Sequence, residues 1–327
     1  MKILYAIQGT GNGHLARAED IVPILRKHGE LDLLVSGAQA DIRLSYPVKY
    51  KSKGLSFYFG KSGGVDLVKT FRKNSSKNVF REIRDFPVGK YDVIINDFEP
   101  ISAWACYRKE KSCIALSHQS ALLSPKVPRP KHHDPVGEWI LKNYAPATAH
   151  VGFHFSQFDK NIFTPVIRES VRKAAVETKD HYTVYLPAYD DKKLVPLLLN
   201  FKGVKWHVFS KHAKKSYHVE KLSVYPVNNA DFQVSMATST GVLCGAGFET
   251  PAEALYLKKK LMVVPMKNQY EQYFNAAALK SIGVPVLKNV KKKRLDKIGE
   301  WIDDDKKVEV EYPNIAEGAV ARALSFV

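Results

Sequence analysis

The sequence predicts an α/β protein built from two Rossmann-like, parallel-sheet domains, and three observations carry that expectation. Its 327 residues are about twice the length of a typical domain. Short apolar runs alternate with amphipathic stretches along most of the chain, the pattern of strands joined by crossover helices. Each half also holds a strand that runs into a glycine-bearing turn and then a helix, at Gly9 to Gly13 and at Gly245 to Gly247.

In the first half the strand candidates are Lys2–Gln8, Leu31–Ser36, Leu55–Phe59, Tyr91–Asn96, Cys113–Ser117 and His150–Phe155. Helical spacing begins at Leu15 and runs to Arg26. A second helix is expected over Val65–Phe86, where Val68, Phe71, Ser75, Val79 and Ile83 share one face. Lys69, Arg72, Lys73, Lys77, Arg81 and Arg84 crowd the rest of that helix as a basic, anion-facing side. From Ser156 to His181 the chain turns charged and Pro-containing, and a linker is expected there. A second series of strands follows at Tyr182–Leu186, Val204–Phe209, Leu222–Tyr225, Gly241–Cys244, Leu261–Pro265 and Val284–Leu287. The domains are therefore placed at 1–157 and 158–312, with an Ala-rich C-terminal helix within 313–327 that can cross back onto the first.

Composition narrows the function. Hydrophobic residues at 45% supply a core, which excludes disordered and collagen-like chains. No apolar run reaches the roughly 18 residues of a membrane span, and the N-terminus lacks a signal-peptide pattern. The expectation is a cytoplasmic protein, with a peripheral location on the inner face of the membrane compatible with its charge. Cys106, Cys113 and Cys244 have no metal-type spacing and read as reduced, buried thiols. The net charge of +17 favours anionic partners. Residues 51–90 alone hold ten Lys/Arg against Asp66, Glu82 and Asp85.

The first glycine turn, Gly9-Thr10-Gly11-Asn12-Gly13-His14, opens the backbone at a helix N-terminus, whose N–H groups suit a polar or anionic ligand. The spacing is not G-x-G-x-x-G, and the second strand ends in Ser36-Gly37 where a dinucleotide site needs an acid. His14 sits at the first helical turn, where the positive dipole end favours a neutral imidazole able to take a proton. Asp97 and Glu99 follow one strand, and His118 and Gln119 follow the next; both pairs fall at carboxyl ends of parallel strands, where ligands gather. His118 is the second choice for the base. His132-His133-Asp134 has no further ligand pattern, so no metal site is assigned.

The second turn belongs to the stretch Gly241-Val-Leu-Cys-Gly-Ala-Gly-Phe-Glu-Thr-Pro-Ala-Glu, followed by a strand ending in Pro265 and by Gln269-Tyr-Glu-Gln-Tyr-Phe-Asn. Gly245, Gly247, Glu249 and Thr250 gather at a helix N-terminus with Pro251 in its first turn, a phosphate cradle. Glu253 lies about one turn in. Glu271, Gln272 and Asn275 lie at the next strand-to-helix junction, with groups that can grip sugar hydroxyls.

This ordered set resembles the donor-binding signature of GT-B fold glycosyltransferases, in particular the family 28-like enzymes that make the lipid-linked peptidoglycan precursor and the UDP-glucuronosyltransferase-like enzymes. The Gly9–His14 turn resembles their N-terminal acceptor loop. The resemblance implies two domains facing a cleft. It also implies Glu253 on the donor ribose, Gly245, Gly247 and Thr250 around the pyrophosphate, Glu271 and Gln272 on the transferred sugar, and His14 near the acceptor. Gly11, Asn12, Gly13, Asp97, Glu99 and Gln119 would line the acceptor side, and Ser210 would assist the donor. The aromatic-rich opening of the plant enzymes' donor box is missing, as is a glycine-serine phosphate loop, since Leu186-Pro-Ala-Tyr-Asp-Asp stands in its place.

The implied activity is an inverting, metal-independent transfer from a nucleotide sugar, UDP-linked, to an acceptor hydroxyl, lipid-linked or membrane-proximal. No cofactor is expected, because the nucleotide sugar is a substrate. The implied partners are that donor, an acceptor the sequence leaves open and an anionic membrane surface, with no specific nucleic acid and no oligomeric state read. A nucleotide-sugar 2-epimerase of the same fold, or a non-enzymatic binder of polyanions or lipids, are the alternatives.

Overall fold

The structure is a computed structural model that describes residues 1–10, 12–37, 44–53, 76–131 and 134–327. Gly11, the expected strand Leu55–Phe59, Lys69, Arg72, Lys73 and the His132-His133 pair lie outside the described residues, as do side-chain facts for Lys77. Contacts divide the chain into two compact units. One holds Met1–Val127, Lys131–Arg168 and Tyr312–Val327; the other holds Pro128–Pro130 and Glu169–Glu311.

The first unit is a parallel sheet of seven described strands: β1 (Lys2–Gln8), β2 (Glu30–Ser36), β3 (Tyr50–Ser52), β4 (Val93–Asp97), β5 (Ile114–Ser117), β6 (Ala149–Phe153) and β7 (Ile162–Phe163). Their order is β3-β2-β1-β4-β5-β6-β7. Central β1 reads Lys-Ile-Leu-Tyr-Ala-Ile-Gln, and all but its first residue are buried, as a strand covered on both faces requires. The crossovers are helical: α1 (Asn12–Arg26), α2 (Ser76–Asp85), α3 (Pro100–Arg108), α4 (His118–Leu122) and α5 (Pro135–Asn143). Strand order reverses between β1 and β4, so the carboxyl ends of these two strands form the switch point where open α/β sheets place ligands.

The linker begins later than the sequence suggests. Residues 156–168 remain with the first unit, and β7 adds to the sheet edge through Gly152 N to Asn161 O at 2.8 Å and His154 N to Phe163 O at 2.8 Å. Two residues are too short a run to show period-2 alternation, so this strand leaves no mark in the sequence pattern.

The second unit opens with the one-turn helix α6 (Glu169–Arg172) and holds β8 (Tyr182–Tyr185), α7 (Asp191–Leu198), β9 (Trp206–Ser210), β10 (Tyr217–Val219), β11 (Leu222–Pro226), α8 (Asn229–Thr238), β12 (Gly241–Gly245), α9 (Glu249–Tyr256), β13 (Lys260–Val264), α10 (Tyr270–Ser281) and α11 (Leu295–Asp303). The sheet order is β10-β11-β9-β8-β12-β13, parallel except for the β10–β11 hairpin. Its core packs Trp206, Val184, Leu198, Val208, Leu243 and Met262. The expected strand Val284–Leu287 is reduced to a bridge between Val263 and Val286, bonded only through Pro285 O and Leu287 N. Order reverses between β8 and β12, which puts Gly245 at this unit's own switch point. The last helix, α12 (Ala316–Leu324), belongs to the first unit, where Ala319, Val320 and Ala323 are fully buried and Lys27 pairs with Glu317. Among the described residues no helix is long and apolar enough to cross a membrane.

Candidate active site

At the switch point of the first sheet, Gly9 brings the chain close against β2. Its N–H donates to Ser36 O at 2.6 Å, and a Cβ there would stand 2.9 Å from Val35 Cγ1. The turn delivers the start of α1, and His14 with it, beside the end of β4. His14 Nδ1 lies 2.8 Å from Asp97 Oδ1. Asp97 is fully buried, and its second partner is Arg17, one turn further along α1 and 2% exposed. Arg17 Nη2 donates to Asp97 Oδ1 at 2.9 Å and to Oδ2 at 2.8 Å, and its Nε reaches Oδ2 at 3.3 Å. The Tyr5 hydroxyl reaches the same carboxylate at 3.5 Å.

Burial alone would push the Asp97 carboxyl up. Arg17 and His14 outweigh that effect and hold it below the ordinary carboxylate value of 3.8. An ionised Asp97 can accept a hydrogen bond from His14 Nδ1–H, the arrangement that leaves Nε2 as the acceptor a general base needs. The His14 side chain is 13% exposed, so part of the ring stays reachable. The sequence places Asp97 on the acceptor side without identifying it as the partner of His14, and it does not single out Arg17. The i, i+3 spacing of His14 and Arg17 on one helix is the signal that could have found the arginine.

The other acceptor-side candidates are bound into the framework. Asn12 and Gly13 form the first residues of α1 and are partly exposed. Glu99 is buried and caps α3, accepting from Ile101 N and Ser102 N at 2.7 Å and from Ser102 Oγ at 2.6 Å; burial raises its carboxyl. His118 is 2% exposed and bonded through Nδ1 to Phe153 O at 2.8 Å, while Gln119 is buried on the same short helix. Of the basic helix, Arg81 is exposed and Arg84 is paired with Asp85 at 2.7 Å; Phe80 beside them is 66% exposed.

In the second unit, Gly245 leaves β12 and Gly247 precedes α9. A Cβ on Gly247 would meet nothing within 4 Å, so the turn is open on that side. No side chain caps α9, whose first residues Glu249 and Thr250 are partly exposed. That helix end, with the positive end of the dipole behind it, suits an anion. Glu253 is 1% exposed on the same helix. Asn275, fully buried, donates from Nδ2 to Ala246 O at 3.1 Å and fastens the glycine turn to α10. Gln272 Oε1 accepts from Met266 N at 2.9 Å and lies 3.8 Å from a Cβ built on Gly245; Glu271 beside it is partly exposed.

Ser210 stands at the end of β9, but its hydroxyl donates to Asp191 Oδ1 at 2.6 Å, and Tyr217 donates to Oδ2 at 2.6 Å. Asp191 thereby anchors both ends of the Lys211–Ser216 segment, a role the sequence does not suggest. Among the described residues, no group of three or more His, Cys, Asp or Glu side chains converges as a metal site.

Two α/β units, each with a glycine turn at the switch point of its parallel sheet, are the architecture of the GT-B fold. The profile of glycosyl transferase family 1 matches residues 1–304, and the chain belongs to that family. The protein is accordingly a glycosyltransferase. Among solved structures it is similar to MurG of Acinetobacter baumannii, with 13% identity and a TM-score of 0.59 over 100% of this chain and 99% of that one. It is also similar to the glycosyltransferase SnogD from Streptomyces nogalater, with 14% identity and a TM-score of 0.52 over 100% and 99%. A UDP-N-acetylglucosamine 2-epimerase matches at 14% identity and a TM-score of 0.57 over 100% and 96%. At these identities the likeness is one of fold. No curated protein sequence matches the chain.

Proposed function

We propose that the protein is an inverting, metal-independent glycosyltransferase that moves a sugar from a UDP-linked donor to an acceptor hydroxyl. The observation that carries this reading is the His14–Asp97 pair, with His14 Nδ1 2.8 Å from a fully buried carboxylate at the end of β4. His14 Nε2 takes the proton of the acceptor hydroxyl as its oxygen attacks the anomeric carbon. The bond from that carbon to the diphosphate breaks, and attack from the opposite face inverts the centre. The departing diphosphate keeps the electron pair and is stabilised by the N-terminal N–H groups of α9 and the Gly245–Gly247 turn. Glu253 binds the ribose, Thr250 the phosphates, and Glu271 and Gln272 the transferred sugar. No cofactor takes part.

The exposed Phe80 and the cations Arg81 and Arg84 on α2 support an acceptor presented at an anionic membrane surface.

Calorimetry with UDP in EDTA tests the donor reading: binding is expected, and Glu253→Ala is expected to weaken it. No binding, or equal binding by the variant, overturns it. Product analysis by NMR without acceptor separates transfer from 2-epimerisation, because only an epimerase converts the donor sugar to its C2 epimer. Flotation with anionic vesicles tests the membrane reading, which fails if reversing the charges of Arg81 and Arg84 has no effect.

A further inference from the structure

The buried group behind His14 is not a simple histidine–carboxylate pair. Arg17 Nη2 donates to both Asp97 oxygens, at 2.9 and 2.8 Å, and also lies 3.2 Å from His14 Nδ1. His14 Nδ1 therefore has two possible partners, and they demand opposite tautomers. If Nδ1 is bare it accepts from Arg17, and the ring proton moves to Nε2, where it blocks base catalysis. If Nδ1 carries the proton it donates to Asp97, and Nε2 is free. The geometry favours the second state, because Asp97 Oδ1 stands nearer at 2.8 Å and both Nη2 hydrogens are drawn to the carboxylate.

We propose that Arg17 is a positioning residue for the transfer reaction: it holds the Asp97 carboxylate oriented to accept the hydrogen bond from His14 Nδ1–H, while its own charge opposes a second proton on the ring. The proposal rests on the reading of His14 as the base.

Among the described residues, the charges bonded to the group are few. Arg17 and His14 come from α1, Tyr5 from β1 and Asp97 from β4, and β6 contributes the Phe153 ring 5.5 Å from the guanidinium carbon. On the packed α12, Glu317 is engaged with Lys27 and Arg322 with Asn161. Glu99, just beyond Asp97, is held by the α3 cap. Arg17 is thus the cation bonded to Asp97. The guanidinium and the carboxylate set opposite charges beside the His14 ring. Lysine is a poor substitute, because a point charge does not reproduce the two-pronged contact.

The test is nitrogen NMR of the full chain labelled with 15N-histidine, with His14 assigned through His14→Gln. In the unmodified protein the proton is expected on Nδ1, and a proton on Nε2 overturns the proposal without any variant at Arg17. In Arg17→Gln, His14 is expected to take up its second proton at a pH about one unit or more higher. Arg17→Lys is expected to move it less. An unchanged midpoint in Arg17→Gln refutes the role, since a merely structural arginine would not alter it. If Arg17→Gln does not fold, Arg17→Lys and the tautomer of the unmodified chain still decide. Slow hydrolysis of UDP-N-acetylglucosamine and UDP-glucose is followed in parallel, and Arg17→Gln is expected to lose about a hundredfold in kcat with KM little changed. A His14→Ala enzyme that keeps its hydrolysis rate sinks the base reading itself, whatever the tautomer at position 14.

Discussion

Placing a methyl group on Gly152 tests how the first sheet holds the helix that carries His118. Gly152 lies in β6 directly beneath α4, and a Cβ built there falls 2.6 Å from both Cα and N of Ala121 and 2.7 Å from its Cβ. Ordinary contact begins at 3.4 Å, so Gly152→Ala must open about 0.8 Å between strand and helix backbone. The strand is fixed on both sides by β5 and β7, so α4 has to lift. Overpacking of this kind costs about 1–3 kcal/mol. At about 2–4 °C per kcal/mol for a unit of this size, the first unfolding transition should fall by about 2–12 °C. Thermal unfolding of the full chain followed by circular dichroism measures the fall. Amide shifts of residues 117–122 report the displacement, and the bond from His118 Nδ1 to Phe153 O should weaken with it. A transition within 1 °C of the parent, with those amides unmoved, would show that the strand and helix are not in the contact described.

Asp97→Asn removes the carboxylate that compensates the buried Arg17 and should cost about 3–5 kcal/mol in chemical denaturation. Because the folded Asp97 ionises below its ordinary 3.8, its stabilisation is present above that pH and is lost as pH falls through the lower folded value; the variant should therefore unfold less steeply in acid. His207, stacked 4.0 Å from His181 in the second unit, is pushed down to about 4 from 6.5 by burial, with His181 and His218 adding to it. The unfolded chain thus binds this proton first, and the second unit should lose stability between about pH 6.5 and 4, a dependence that His207→Asn should flatten in pH-jump denaturation. Asn275→Ala leaves Ala246 O without its side-chain donor and should cost about 1–3 kcal/mol; it should also weaken UDP binding in calorimetry by loosening the glycine turn.

Patterns repeated over several residues are legible in the amino-acid order alone. Strand β1 is expected at Lys2–Gln8 and has those bounds, and β12 and β13 lie within one residue of their expected ends. Short edge strands are not legible: β7 and β10 hold two and three residues and owe their state to a neighbour's hydrogen bonds. The site divides the same way. Glycines followed by a helix announce a ligand turn locally, but the union of His14 with Asp97 spans 83 positions, and only the β1–β4 adjacency creates it. Glu99 and Ser210 show the converse, since polar residues at strand ends look like ligands in sequence and turn out to be a helix cap and a loop anchor.

The path of the chain bears on how the protein is made. The first unit needs Tyr312–Val327, while nearly all of the second is the unbroken stretch Glu169–Glu311. During translation the second unit can therefore close while the first still lacks α12, reversing the usual amino-to-carboxyl order of domain folding. Until that helix leaves the ribosome, the faces of α1, β5 and β6 that it covers stay open to solvent.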